Sequence, residues 1–427
     1  TALAHAVRHA GPAILASNAT VVLALLTLLL AILPSTRSLG ALAAAGLVVA
    51  ALFVLVVLPP LLALCGPKLF WPFVPKADDK DTSTSGAWFS VAAAVSRHPV
   101  RTSVVTIAVL IGCAATLLTT GIGLSQTEQF RVTAESVEGF DTLAEHFPAG
   151  LADPTTVVAP TESASDVEGV LDTADGVTSF ERVADSGTGY TRWSVVTDAA
   201  PASDEAFATV EELRGDFADI PDALVGGSDA QALDTSDAAA RDRLVVVPAI
   251  LVVVLVVLIA LLRSLVAPLI LVGTTVLSAL AALGVGSWVS SNVFGFPALD
   301  DNVPLFSFLF LVALGVDYTI FLVTRTREEV PGHGTRSAIV RAVGATGGVI
   351  TSAGIVLAAV FCVLGVLPLI TLTQLGIIVG LGILLDTFVV RTLVIPALFT
   401  LVGPGIWWPN RIDSSSEPLV GQKERDS

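Results

Sequence analysis

Charge is scarce in this 427-residue sequence: only 14% of residues are Asp, Glu, Lys or Arg, and methionine is absent altogether. Ordinary soluble domains carry roughly 25% charged residues, so a single water-soluble domain is excluded as the whole account. Cysteine occurs three times. Cys65, Cys113 and Cys362 lie in or at the end of apolar runs, where a thiol acts as a small hydrophobe, and they form no disulfide framework. The five histidines, His5, His9, His98, His146 and His333, have no metal-ligand spacing, which argues against a zinc site. A cleavable leader pattern is also missing, because the first apolar run is long enough to span a bilayer and a second follows at once.

What the sequence has in abundance is long apolar runs. Hydrophobic residues make up 53% of the chain and the mean hydropathy is +0.81. A helix of about 20 apolar residues crosses the hydrocarbon core of a bilayer. Eight such spans are expected, at 12–33, 39–64, 102–122, 244–262, 266–290, 303–324, 347–368 and 373–400. The net charge of −16 is not spread evenly. Residues 124–243 hold 25 acids and 6 bases, and the remainder holds 13 acids and 16 bases. The acidity therefore belongs to one polar insert, and no basic nucleic-acid surface exists. Most of the other bases fall in alternate loops: Arg8; Lys68, Lys76, Lys80, Arg97 and Arg101; Arg263; Arg325, Arg327, Arg336 and Arg341; Arg411, Lys423 and Arg425; the short loops on the other side offer only Arg37 near Pro34. The positive-inside rule then puts both termini in the cytoplasm and residues 124–243 outside a cell membrane that the chain crosses several times.

One carboxylate interrupts these runs tellingly. Asp317, followed by Tyr318, sits in the middle of the apolar stretch 303–323 (VPLFSFLFLVALGVDYTIFLV). A charged side chain mid-span costs roughly 2.5–3.5 kcal/mol on insertion scales, and such groups mark ion or proton pathways. With Gly315 two residues earlier, the pair suggests an inward-facing polar seam; the bland alternative is an Asp satisfied by a neighbouring helix. The other charges inside the spans, Asp386 and Arg391, are five apart. That spacing is not the i,i+4 separation at which helix neighbours stack, so Asp386 is not expected to stack directly on Arg391 as such a neighbour would; the two serve either a relay or a structural ion pair, with snorkelling of Arg391 or its pairing with another helix left open. Gly376 and Gly380 form a GxxxG-type face for close helix packing.

The chain also repeats itself. Under a shift of 336, Ala6-Val7 meets Ala342-Val343, Gly11 meets Gly347, Leu39-Gly40 meets Leu375-Gly376, Gly46 meets Gly382 and Pro60 meets Pro396. One residue further, Gly66-Pro67 meets Gly403-Pro404 and Trp71-Pro72 meets Trp408-Pro409. The first unit is thus represented only by its last two spans, and together with the start at Thr1 the repeat predicts roughly 250 further residues upstream. At the positions of Asp386 and Arg391 the first unit has Ala50 and Leu55, which favours a one-sided, structural use.

The polar insert alternates strand and helix patterns. Strands are expected at 155–159, 177–184, 191–197 and 223–225, and helices at 165–174 and 203–218, the latter capped by Ser203 with Asp204 and Glu205 in its first turn. The order β-α-β-β-α-β is the ferredoxin-like arrangement. No Ser-His-Asp set, carboxylate pair or Gly-rich phosphate loop stands out in it, which argues against an enzyme.

The segment GVDYTIFLVTRTREE at 315–329, the amphipathic stretch 334–343 and LLDTFVVR at 384–391 resemble the MMPL family of RND-superfamily exporters, and the resemblance covers essentially the whole chain. It implies a polytopic α-helical membrane protein with about eight of the family's twelve helices here and one α+β, ferredoxin-like porter domain. It implies proton-driven export of lipids or other hydrophobic compounds, with protons as the coupling ion and no other cofactor. Asp317 and Tyr318 match the family's tenth-span proton-relay pair, and the fourth-span pair would lie upstream of Thr1. The expected division is 1–73, the last two spans of the first repeat; 74–100, a cytoplasmic linker; 101–123, a span; 124–243, the porter-like domain; 244–409, a five-helix bundle; and 410–427, a disordered cytoplasmic tail. Expected partners are membrane lipids, a lipid-like substrate and the missing N-terminal repeat, with a homo-oligomer left open. The rival expectation is a non-transporting membrane scaffold whose acidic outer domain binds a protein, for which an intramembrane Asp-Tyr pair is unnecessary.

Overall fold

The computed structural model describes residues 2–65, 86–124, 127–132, 135–147, 149–151 and 153–410. The tail at 411–427, the loop at 66–85 with Lys68, Lys76 and Lys80, and the Gly66-Pro67 and Trp71-Pro72 landmarks lie outside the described residues.

Each of the eight apolar runs is helical over most of its length. The helices are α1 (Ala2–Leu26), α2 (Pro34–Leu52), α3 (Leu58–Cys65), α4 (Ala87–Arg97), α5 (Pro99–Ala115) and α6 (Glu135–His146), then α7 (Ala164–Leu171), α8 (Asp204–Asp216), α9 (Ser228–Leu262), α10 (Val266–Asn292), α11 (Val303–Leu364), α12 (Ile370–Leu385) and α13 (Ile395–Val402). A π-helical stretch, Phe53–Val57, joins α2 to α3, and another, Asp386–Val394, joins α12 to α13. Among the described residues six helical stretches are long and apolar enough to cross a membrane, and a shorter apolar one covers Ile14–Leu30.

The 62-residue α11 cannot be one straight crossing. At 1.5 Å per residue it would extend about 90 Å, three times the hydrocarbon thickness. It reverses at Gly334, whose φ of 71° and ψ of 160° are not helical. A positive φ is open to glycine at little steric cost. The ion pair between Arg341 Nε and Glu329, 3.0 Å apart, would be far out of reach along a straight helix and closes the turn. Its two arms take up the expected runs 303–324 and 347–368. Close approach elsewhere depends on missing side chains: a Cβ on Gly376 would stand 2.6 Å from the Phe361 carbonyl, as expected of a packing face, whereas one on Gly380 would meet nothing nearer than 3.5 Å.

One core joins the α1–α2 hairpin to the later helices. Ala24, Leu25 and Leu28 of the first hairpin are buried in the same cluster as Val246, Ile250 and Val254 of α9 and Val316 and Ile320 of α11. Asp242, fully buried on α9, accepts from the backbone N–H of Ile32 at 2.7 Å and so ties the α1–α2 corner to the second unit.

The polar insert, which the expected topology makes an outer domain, is a four-stranded sheet, β1 (Thr155–Pro160), β2 (Val177–Asp185), β3 (Tyr190–Thr197) and β4 (Leu224–Gly226). Its order is β2-β3-β1-β4 with every pair antiparallel, the ferredoxin-like order expected from the sequence. Its core is Val157, Val167, Leu171, Trp193, Val195, Leu213 and Phe217. Ser203 caps α8 by accepting from the Ala206 N–H at 3.2 Å. Helix α9 begins at Ser228, so the expected boundary at residue 243 falls within a continuous helix whose polar first turns belong to the outer part. Helix α6, which the sequence patterns did not single out, precedes the sheet.

The outer domain is fastened to the bundle through the short loop between α10 and α11. Leu299 exchanges backbone hydrogen bonds with Gly121 and Gly123 at 3.0 and 2.8 Å, Asp300 accepts from Thr371 at 2.9 Å, and Gln374 donates to the Ala298 carbonyl at 2.7 Å. Asp301 accepts from Ser236 on α9 at 3.2 Å, and its own carbonyl accepts from Arg243 at 2.7 Å. Burial pushes the Asp301 carboxyl above the usual carboxylate range, and the neighbouring Asp300 adds to this against the Ser236 hydrogen bond and Arg243.

Candidate functional site

The site is built on the first arm of α11, one turn of which carries Gly315, Asp317 and Tyr318. A Cβ on Gly315 would sit in ordinary contact, 3.5 Å from Thr275 and 3.8 Å from Asp386, so the helices pass close here without requiring a glycine. Asp317 is half-buried and turns toward α1, where the Ser17 hydroxyl donates to its Oδ1. The sequence-expected carboxylate therefore takes its partner from α1, 300 residues earlier in the chain. Ser17 is a residue that sequence reasoning missed. The signal was present, since Ser17 and Asn18 are a polar pair in the middle of an apolar run. Asn18 donates to the Leu47 carbonyl at 3.1 Å and locks α1 to α2.

A cavity of about 420 Å³ opens beside Asp317. Ile14 and Ser17 of α1 form one wall, Asp317, Phe321 and Thr324 of the first arm of α11 another, and Val349 of the second arm a third; it runs on to Arg325 and Glu328. It is mostly apolar with the carboxylate at one end and an Arg325–Glu328 ion pair of 3.0 Å at the other. Next to that pair, Glu329 gathers Arg325 at 2.6 Å and Arg341 at 3.0 Å, which closes the turn of α11 at this side.

Tyr318 lines this cavity too and reaches from it toward Arg391. Among the described residues its hydroxyl makes no hydrogen bond. Its ring instead lies under the Arg391 guanidinium, whose Cζ is 4.6 Å from the ring centroid, a cation–π stack.

Arg391 and Asp386 do pair directly, against the expectation from their five-residue spacing. The reason is the local helix type. Asp386–Val394 is π-helical, and a π-helix closes i→i+5 hydrogen bonds, so residues five apart come to lie one above the other. Arg391 Nη2 donates to Asp386 Oδ2 and, at 3.1 Å, to the Gly315 carbonyl. Both residues are buried. The structure thus brings all four sequence-singled residues into one patch: Asp317 on the α1 side of α11, Tyr318 on the α12 side, and the Asp386–Arg391 pair behind it. Among the described residues no group of His, Cys, Asp and Glu is arranged to hold a metal.

The MMPL family profile matches residues 1–102 and 144–418. A membrane protein of Streptomyces coelicolor is 45% identical over 422 residues, covering 95% of this chain and 60% of its own length. The apo-petrobactin exporter of Bacillus anthracis is 32% identical over 98% of this chain, again across 60% of its own length. An acyltrehalose exporter of Mycobacterium tuberculosis is 39% identical over 57% of this chain and 25% of its own length. The chain therefore spans well under two thirds of the relatives it matches end to end. Among solved structures, SecDF from Thermus thermophilus superposes with a TM-score of 0.54 at 14% identity, over 94% of this chain and 49% of that one, which is a likeness of fold. A profile matching most of the chain and relatives aligned along nearly all of it make this polytopic membrane protein a member of the MMPL family of the RND superfamily.

Proposed function

We propose that the chain is the C-terminal part of a proton-driven exporter of lipids or other hydrophobic compounds, with Asp317 as the group that takes up and releases the coupling proton. The observation that supports this best is the contact between Asp317 and Ser17, an ionisable group in mid-span joined to the other repeat through a hydrogen bond whose strength depends on its charge. Exporters among the relatives, of acyltrehalose and of petrobactin, support the class of activity.

In this reading a proton arriving from the outer side neutralises Asp317. The Ser17 hydroxyl, a good donor to a carboxylate, is a weaker partner for the neutral acid, so α1 and α11 repack. Opening toward the cytoplasmic side along the cavity to Arg325 and Glu328 releases the proton. Each proton crossing supplies roughly 2.3 kcal/mol per 100 mV of membrane potential. The loop around Leu299–Asn302, bonded both to α12 and to the segments entering and leaving the outer domain, carries the movement to that domain. Asp386 and Arg391 serve the structure: Arg391 is the fixed cation that holds the Tyr318 ring.

The test uses the full-length protein in vesicles with an imposed proton gradient and a fluorescent lipid-like substrate. Export that rises with the gradient and stops when a protonophore collapses it is the expected result; transport indifferent to the gradient, or none, would refute the reading. Orientation is tested separately. With both termini inside, protease added to intact cells cuts within 124–243 and spares 325–346, and cleavage of 325–346 instead would reverse the proposed topology.

A further inference from the structure

Arg391 has more hydrogen-bond donors than the protein gives it acceptors. Its Nη2 is used by Asp386 and the Gly315 carbonyl, but Nε and Nη1 meet no acceptor, and the residue is only 4% exposed. The Thr387 hydroxyl, on a residue 2% exposed, is likewise without a partner. A buried donor left unmade costs about 1–3 kcal/mol, more when charged. Three such atoms on two residues that line the same cavities are not explained by packing.

Two small cavities are lined by these same two residues. One, of about 10 Å³, is lined by Gly315, Tyr318, Asp386, Thr387 and Arg391 among apolar neighbours. The other, also about 10 Å³, is lined by Thr346, Thr351, Thr387, Arg391 and Thr392, with Trp88 beside them. A buried water needs roughly 10–15 Å³ and two to four polar partners. Both cavities reach the lower end of that volume, and each is lined by both residues that carry the unpartnered atoms.

We propose that the two cavities are binding sites for one water molecule each, with Arg391 and Thr387 contributing to both. In the first site a water accepts from the guanidinium and donates to Asp386 or the Gly315 carbonyl. In the second it accepts from the guanidinium and lies within a ring of threonine hydroxyls. The ligand is a neutral molecule of water size. Asp386 already balances the guanidinium charge, so an anion would add an unpaired negative charge to a dry site, and the cavity volumes leave no room for a larger polar group. The two waters complete the hydrogen bonding of a cation at this depth and keep its plane on the Tyr318 ring. They also make Arg391 and Thr387 the shared wall between a site on the Tyr318 side and a site on the α4 side. This assignment stands on geometry alone and is independent of the export reading.

A structure of the full-length protein in lipid nanodiscs, at about 2 Å so that buried waters are seen, decides it. The expected map shows one peak in each cavity, within hydrogen-bond distance of Arg391 Nε or Nη1. The same map of Thr387→Ser keeps both peaks, and that of Thr387→Val, which has the shape without the hydroxyl, loses at least one. Cavities without density where other buried waters are resolved, or Arg391 nitrogens bonded instead to protein acceptors, would overturn the proposal. So would a Thr387→Val protein that retains both peaks unchanged. Should the Val variant fail to fold, the wild-type map alone remains decisive.

Discussion

Asp386 and Arg391 show how a pair can be present in a sequence and yet be misjudged. In an α-helix, positions five apart are rotated away from each other by about 140°, and the inference against a direct pair followed from that geometry. The π-helical turn removes its premise, and no residue pattern in DTFVVRTLV announces such a turn. Asp317 was legible because a carboxylate in a long apolar run is conspicuous at any register. Ser17 was legible in principle, but a serine costs little in a helix and draws no attention until its partner across the interface is known. A buried ion pair is weak evidence of stability, yet removing one member leaves an uncompensated charge. Asp386→Ala is therefore expected to destabilise by roughly 3–5 kcal/mol, while Asp386→Leu combined with Arg391→Met recovers most of the loss. Thermal unfolding of the detergent-solubilised variants checks this. A double variant as unstable as the single one would mean that the pair does more than neutralise itself.

At the scale of elements, the outer domain was the most readable part. Its strands and helices alternate with clear turn signals, and the four expected strands match β1 to β4 within two residues at each end. The arms of α11 were separated correctly by hydropathy, but the chain does not leave the helix between them except at Gly334. Helix α6 was missed because its apolar residues are few and its first turn is acidic. The α10–α11 loop was not legible either, since Asp300 and Asp301 read simply as loop charges; their importance comes from Gln374, Thr371 and Ser236, residues distant in sequence. Asp301 gives this joint a pH dependence whose sign can be worked out. Its carboxyl is raised by burial, so the folded state binds the proton more tightly than the unfolded one. That contribution is complete below the ordinary value of 3.8 and is lost as pH rises through the folded value. Asp301→Asn retains an acceptor for Ser236 but cannot ionise. Its melting temperature is expected to exceed that of the wild type by a margin that grows from about pH 4 to about pH 7. A margin that stays flat or shrinks with pH would contradict the burial argument.

For the whole molecule, the packing of the α1–α2 hairpin against α9 and α11 explains why the partner of Asp317 comes from α1. Under the proposed function, a change of charge at Asp317 is felt by the hairpin and by α11 at once. The measurement that bears most directly on this is gradient-driven export by Asp317→Asn in the full-length protein, taken with its melting temperature. The amide keeps the volume of the carboxyl and costs less in hydrocarbon, so folding and insertion are expected to be normal while export falls to the level seen without a gradient. A purely structural Asp317 would instead lose stability and activity together. Normal gradient-driven export by a well-folded Asp317→Asn protein would contradict the account.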